Sequence, residues 1–324
     1  MTYSPEQVSL IRPLTVVAFG GNALLTSDDD GTVEEQQRRA AEAATWLVDL
    51  ALKGDDLLLV HGNGPQVGQV MIQMEEAVTK VPPGTLDVAV AQTQGSLGFL
   101  LSLALHNRLR DAGLERQVNT VLSLTVVDAQ DPGFSNPTKP VGPYFSRYRA
   151  RSLQEEHGWK MKEHPKRGWR KVVASPRPLE VMGVDTIRTL LAHRGIVIAG
   201  GGGGVPVVRR ADGRLVGVEA VIDKDWTASI LARELDANLL VIVTDVPAVY
   251  KNFGKKNQRA IGQIKAFEAR ALMDKGDFPE GSMKPKVEAA IDFVDATGRP
   301  VVITDSANVT AAFQGTAGTR IVSH

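Results

Sequence analysis

The sequence predicts an α/β fold built on parallel strands, and three observations carry that expectation. Short runs of consecutive apolar residues recur at 15–19, 57–60, 196–199, 239–243 and 301–304, the pattern of strands buried on both faces. Three of these runs end in glycine-rich turns: Gly20-Gly21-Asn22, Gly62-Asn63-Gly64 and Gly200 to Gly204. Segments whose apolar residues repeat at helical spacing follow the turns.

In chain order, the first strand runs over 15–19 into Gly20-Gly21-Asn22-Ala23-Leu24. Such a turn after a strand suits phosphate or carboxylate contact through backbone amides, although a plain connecting turn has the same composition. A helix is expected over 33–53, with Ala40, Ala43, Ala44, Leu47, Val48 and Ala51 as its stripe and Gly54 closing it. The second strand, 57–60, repeats the logic with His61-Gly62-Asn63-Gly64-Pro65-Gln66-Val67-Gly68. A loop at the carboxyl end of a parallel strand is where open sheets bind ligands. Gly62 and Asn63 are the ligand-facing candidates there, while His61 reads as a hydrogen-bonded structural residue.

A long helix is expected over 87–112 and a single strand over 118–127. The composition then shifts. From Asp128 to Arg170 there are prolines, basic residues and Tyr144, Phe145, Tyr148, Trp159 and Trp169, with weak apolar periodicity. We read this as an inserted subdomain, because those aromatics need something to pack on. A helix over 186–193 leads to the strand 196–199 and the five glycines. Glycine lets amides approach an anion closely and adopts positive φ, so this loop points to phosphate; a flexible connection is the alternative. A hairpin follows, 205–208 with 215–222. Asp223-Lys224-Asp225 then opens a helix. A lysine so placed is suited to a phosphoryl group, with an aspartate holding its orientation.

The strand 239–243 closes with Thr244-Asp245, and the turn through Tyr250 is suited to lining an adenine pocket. A short helix is expected over 266–274. Another starts near Gly281-Ser282-Met283-Lys284-Pro285-Lys286 and runs to 293. Pro285 suits its first turn, and Lys286 lies at a positive helix end where phosphate is favoured. The strands 301–304 and 315–322 end the sheet.

The chain has 324 residues with 37 basic and 37 acidic side chains, so its charge favours neither nucleic acid nor a membrane surface. It has no cysteine, hence no disulfide framework and no thiolate nucleophile. Six scattered histidines lack zinc spacing, so no resident metal site is expected. No leader-like N-terminus and no run near 18 apolar residues occur, and the expected location is the cytoplasm.

The segments 20–24, 61–68, 137–143, 168–170, 201–206, 217–225 and 281–283 together resemble the amino acid kinase family, in its carbamate-phosphorylating branch. Pro137-Thr138-Lys139-Pro140 and Val221-Ile222-Asp223-Lys224-Asp225 are particular to that branch. The resemblance implies a three-layer α/β/α sandwich with a mainly parallel central sheet, one domain over 1–324 with the insert protruding at about 128–170, and a homodimer. It implies reversible phosphoryl transfer from carbamoyl phosphate to ADP, giving ATP and carbamate with Mg²⁺, as in arginine metabolism. Other family members place a lysine on the first strand; Ala18 and Phe19 stand there, and the resemblance implies that Lys139 supplies the charge. The insert is then expected to act as a mobile cover carrying Lys139 inward. Lys139 and Lys224 are assigned to the transferring phosphoryl group, with Asp225 orienting the lysines. Gly20, Gly21, Asn22, Gly62, Asn63 and Gly64 are assigned to the carbamoyl phosphate side. Gly202, Gly203, Thr244, Asp245, Tyr250, Met283 and Lys286 are assigned to the nucleotide. The family usually has glycine where Lys284 stands, which would bring a positive side chain beside the nucleotide phosphates. Two other readings stay open: a kinase of this fold acting on another small carboxylate, and a non-catalytic nucleotide-binding regulator.

Overall fold

In a computed structural model of the chain, residues 12–20, 31–164, 167–279 and 281–323 are described. Eight strands form the central sheet, in the order Gln263–Lys265, Thr319–Val322, Val301–Asp305, Leu239–Thr244, Leu14–Phe19, Asp56–His61, Ile196–Ile198 and Val118–Thr120. Every neighbouring pair is parallel except Val301–Asp305 with Thr319–Val322. The apolar runs are continuous because both faces are covered. Along Leu14–Phe19, Val16 and Ala18 face one layer with the helices Lys224–Glu234 and Met283–Thr297. Val17 and Phe19 face the other, with Val33–Ala51 and Leu86–Asp111. The two-residue strand period thus divides one strand between two cores. By length and composition Leu86–Asp111 is apolar enough to cross a bilayer, but in the structure Leu97, Leu101 and Leu105 are fully buried in that second core.

Four adjacent strands deliver their carboxyl ends to one edge of the sheet: Leu239–Thr244, Leu14–Phe19, Asp56–His61 and Ile196–Ile198. A second sheet, Leu215–Gly217, Val205–Arg209, Leu124–Val127 and Pro178–Val181, lies beyond them. A third, antiparallel sheet, Lys139–Phe145, Gly168–Val173 and Met161–His164, carries the helix Arg147–His157.

Three expectations change. The single strand at 118–127 is two strands in two different sheets, because Ser123 is pinned by the side chain of Gln94. Gln94 donates to the Ser123 carbonyl at 3.0 Å and accepts from its amide at 2.9 Å. The second hairpin strand stops at Gly217, since Ala220 leaves the hairpin to bridge Ala174. The late helix begins at Met283 and continues to Thr297, with Gly298 in the left-handed conformation ending it. Within the insert, Phe145 meets Trp159 edge-on and Lys171 sits over Trp159, but Tyr148 is 87% exposed.

Candidate active site

The helix Lys224–Glu234 starts at the carboxyl edge, with Asp223 as its cap: the Asp225 amide donates to the Asp223 carboxylate at 3.0 Å. That places Lys224 and Asp225 in the first turn, both buried. Lys224 Nζ lies 2.5 Å from Asp225 Oδ1. Lys286, in the first turn of Met283–Thr297, donates to the other oxygen, Asp225 Oδ2, at 2.9 Å. Lys139, at the start of its strand, donates to Asp223 Oδ2 at 2.6 Å. Three ammonium groups thus stand on two carboxylates, leaving one net positive charge. Asp225 orients Lys224 and Lys286; the partner of Lys139 is Asp223, which sequence reasoning left without a role. Lys139 stands at the site in this structure.

Burial sets the protonation of this cluster. It pushes Lys224 below the ordinary lysine value even with Asp225 beside it. Lys286 is less enclosed, and there the attraction of Asp225 and Asp223 outweighs burial and raises it. Burial alone would raise Asp225, but the charges of Lys224 and Lys286 hold it far below the usual carboxylate range. Two ammonium groups thus favour the ionised form of Asp225, which suits it to holding the lysines in place.

Two cavities meet at the cluster. The smaller, about 140 Å³, is lined by Gly62, Asn63, Gly64, Gly202, the three lysines and both aspartates. The larger, about 520 Å³, is lined by Gly20, Thr244, Asp245, Val246, Tyr250, Phe253, Phe278, Pro279 and Met283, with Arg170 at its wall. Gly64, Lys139, Pro140, Gly281, Ser282 and Lys286 belong to both. A polar chamber that opens into an aromatic one through lysines has the shape of a site for a small anion beside a nucleoside.

Of the residues expected around carbamoyl phosphate, Gly62, Asn63 and Gly64 line the smaller cavity and Gly20 the larger. Gly21 and Asn22 lie outside the described residues. Asn63 donates to Thr93 Oγ1 at 2.8 Å, which fixes the orientation of its amide. Thr244, Asp245, Tyr250, Met283 and Lys286, expected at the nucleotide, all line the larger cavity. Gly202 instead faces the smaller one, and Gly203 lines neither. The glycine loop is consumed largely by packing. The Gly203 and Gly204 amides donate to Gly200 and Gly201, and the Gly200 amide to Ser123 Oγ. A Cβ at Gly203, whose φ is +93°, would lie 2.4 Å from the Ile222 carbonyl oxygen. Beneath the loop His61 is buried; its Nδ1 lies 3.0 Å from the Gly62 carbonyl. Burial, with the charge of Lys224, pushes it down to about 4. It is a neutral supporting residue.

Lys284 lines neither cavity. Arg170, Phe253, Phe278 and Ser282 were missed. Only their neighbours signalled them: Phe278-Pro279 precedes Gly281-Ser282-Met283, and Arg170 closes Gly168-Trp169-Arg170. Among the described residues no group of three or more His, Asp or Glu stands together to hold a metal ion.

Residues 13–305 match the family model described as the amino acid kinase family. The carbamate kinase of Pyrococcus furiosus is 40% identical over 309 residues, covering 95% of this chain and 98% of its own. That of Clostridium perfringens is 42% identical over 312 residues, covering 95% and 99%. Among solved structures, carbamate kinase from Giardia lamblia bound to citric acid superposes with a TM-score of 0.91 at 38% identity, covering 96% of this chain and 99% of that one. The same enzyme bound to AMP-PNP superposes with a TM-score of 0.89 at 38% identity, with the same coverage.

Proposed function

This chain belongs to the amino acid kinase family, and on that premise we propose that it catalyses the carbamate kinase reaction, reversible phosphoryl transfer between carbamoyl phosphate and ADP to give ATP and carbamate. The observation that carries the reading is the lysine cluster at the junction of the two cavities. Phosphoryl transfer asks the protein to hold two reactants in line and to neutralise charge on the moving group; no covalent nucleophile is required. Lys224 and Lys139 meet the transferring phosphoryl group, and Lys286 the nucleotide phosphates. Asp223 and Asp225 keep the lysines aimed before substrate arrives, so little reorganisation accompanies the reaction. The carbamoyl group lies against Gly62, Asn63 and Gly64, and the nucleoside between Tyr250, Phe253 and Phe278.

The described residues do not fit a resident metal ion, so Mg²⁺ enters in this reading as part of the metal–nucleotide substrate. The chain is read as one kinase domain with an inserted subdomain at about 128–170, working in the cytoplasm. A homodimer is supported by Phe99, Leu103 and Leu122, which stand exposed; size-exclusion chromatography with light scattering checks it.

The direct test is ATP formation from ADP, MgCl₂ and carbamoyl phosphate, followed by a coupled luminescent assay. The expected result is saturable ATP formation that Lys224→Ala reduces by about 10²–10³. A protein that forms ATP only from another acyl phosphate is the kinase of a different carboxylate. One that binds ADP without turnover on any acyl phosphate is a regulator.

A further inference from the structure

Lys139 is not held by the central sheet. Among the described residues its strand, Lys139–Phe145, pairs only with Gly168–Val173 in the small third sheet. What that strand leans on is the helix Gly64–Glu76, whose first residue lines both cavities. The contact between them is backbone on backbone. An ideal Cβ built on Gly68 would lie 2.2 Å from Gly142 Cα and 2.6 Å from Gly142 N. Gly142 itself has φ +74°, and its carbonyl accepts from Arg170 Nε at 2.5 Å, so it is tied down on its far side too. The seam around this contact is an apolar cluster separate from the two sheet cores, with Val67, Leu86, Ala89, Val141, Val173 and Val221 at its centre. At the other end of the helix, Glu75 holds His157 of the insert, with His157 Nε2 2.6 Å from Glu75 Oε1.

We infer that the Gly68–Gly142 contact positions Lys139: it is the stop that sets how far the Lys139 strand advances toward Asp223 and the transferring phosphoryl group. The inference rests on the assignment of Lys139 made above. Gly142 lies three residues along the chain from Lys139, just past the point where the pairing register shifts; from Lys139 to Val141 the strand pairs in step with Val173 to Lys171. A segment paired in step moves as a unit, so a displacement forced at Gly142 is passed through Val141 to Lys139. Non-bonded carbons settle at about 3.5–4.0 Å, so a methyl at residue 68 must open the gap by more than an ångström. Neither side offers a flexible chain end to yield, because both atoms in contact are backbone. A shift of about 1 Å at a reacting group costs on the order of 10² in rate. Thr244, Tyr250, Met283 and Lys286, the residues assigned to the nucleotide that line the larger cavity, are not carried on the strand that moves, so ADP binding should be largely spared.

A cycle of Gly68→Ala, Lys139→Ala and the double variant tests this, with kcat and KM for both substrates and ADP affinity by calorimetry. We expect Gly68→Ala to lower kcat by about 10² with ADP affinity within about twofold of wild type. The double variant should turn over no more slowly than Lys139→Ala, because the methyl acts only through that lysine. A general structural role would instead multiply the two losses. Multiplied losses, or a Gly68→Ala enzyme with wild-type kcat, overturn the inference alone. A fully active Lys139→Ala enzyme overturns the assignment of Lys139 and the inference with it. If Gly68→Ala does not fold, Val67→Ala enters the same cycle, since it empties the same seam rather than overfilling it. A kcat loss that disappears in the Lys139→Ala background supports the inference, and a loss that persists there overturns it.

Discussion

Replacing Asp225 by asparagine keeps its shape and removes one charge from the centre of the site. Asp225 is 1% exposed and bridges Lys224 at 2.5 Å and Lys286 at 2.9 Å. Removing one partner from a buried ion pair typically costs about 3–5 kcal/mol, because the remaining charge has lost both water and counter-ion. Here two ammonium groups are left, so we expect Asp225→Asn to lose at least that range near pH 7. The pH dependence gives a sharper test. Burial already holds Lys224 below its ordinary value, with Asp225 the largest opposing influence. Without Asp225 the folded-state value falls further below the unfolded one. A lysine of that kind opposes folding fully at pH below its folded value. The penalty lifts as pH rises from there through the unfolded value, about 10.4. The stability gap between wild type and variant, measured by urea unfolding, should therefore narrow from pH 7 toward pH 10. In wild type, the depressed value of Asp225 stabilises the fold above about pH 4, and that contribution is lost as pH falls below it. A variant as stable as wild type, or a gap unchanged between pH 7 and pH 10, would refute the account of Asp225 as a charge clamp.

Three further outcomes follow from the same geometry. Lys286→Ala should weaken ADP binding by about 10-fold or more, the value of one charge-assisted hydrogen bond, as read by calorimetry; unchanged affinity would remove Lys286 from the nucleotide site. Lys284→Gly should change ADP affinity by no more than about twofold, since that side chain lines neither cavity. A larger change would mean that Lys284 reaches the phosphates. His61 has a folded value of about 4 against 6.5 unfolded, so wild type loses stability as pH falls from 6.5 to 4. That loss amounts to roughly 3 kcal/mol, and His61→Gln should lack it; parallel acid profiles for the two proteins would contradict a buried neutral histidine.

Much of the scaffold was legible because its signals are local. The apolar runs at 15–19, 57–60, 196–199 and 239–243 mark strands wherever they are placed, since only a position covered on both faces tolerates no polar residue. Glycines at strand ends and the Asp223 cap state in a few residues where a helix or loop begins. Lys224 and Lys286 were named as site residues from signals of this kind, and Lys139 from the resemblance carried by Pro137-Thr138-Lys139-Pro140. The break in the strand at 118–127 was not legible, because the residue that pins Ser123 is Gln94, on a helix far away in the chain. The division of the glycine loop, with Gly202 in the wall of the smaller cavity and Gly203 in neither, was not legible for a related reason. Glycine composition does not distinguish amides aimed at a ligand from amides spent on Gly200, Gly201 and close packing under Ile222.

By itself, then, the sequence determined the buried strands of the central sheet and most of the helices that cover it, the glycine turns at the ends of those strands, and the positions of Lys224 and Lys286 at helix starts. Tertiary structure alone decided how those charges are shared. Lys139 and Asp223 are 84 residues apart and meet at 2.6 Å, while Lys224 and Lys286 divide the two oxygens of Asp225. It alone also brought Arg170, Phe253 and Phe278 to one cavity wall and left Gly203 off it. The physical reason is one of range. Burial period and capping act within one or two turns of chain and leave their mark on composition. An ion pair across 84 residues depends on how separately folded elements dock, and the close backbone approach of Gly68 to Gly142 is a feature of that docking that neither glycine announces in the sequence.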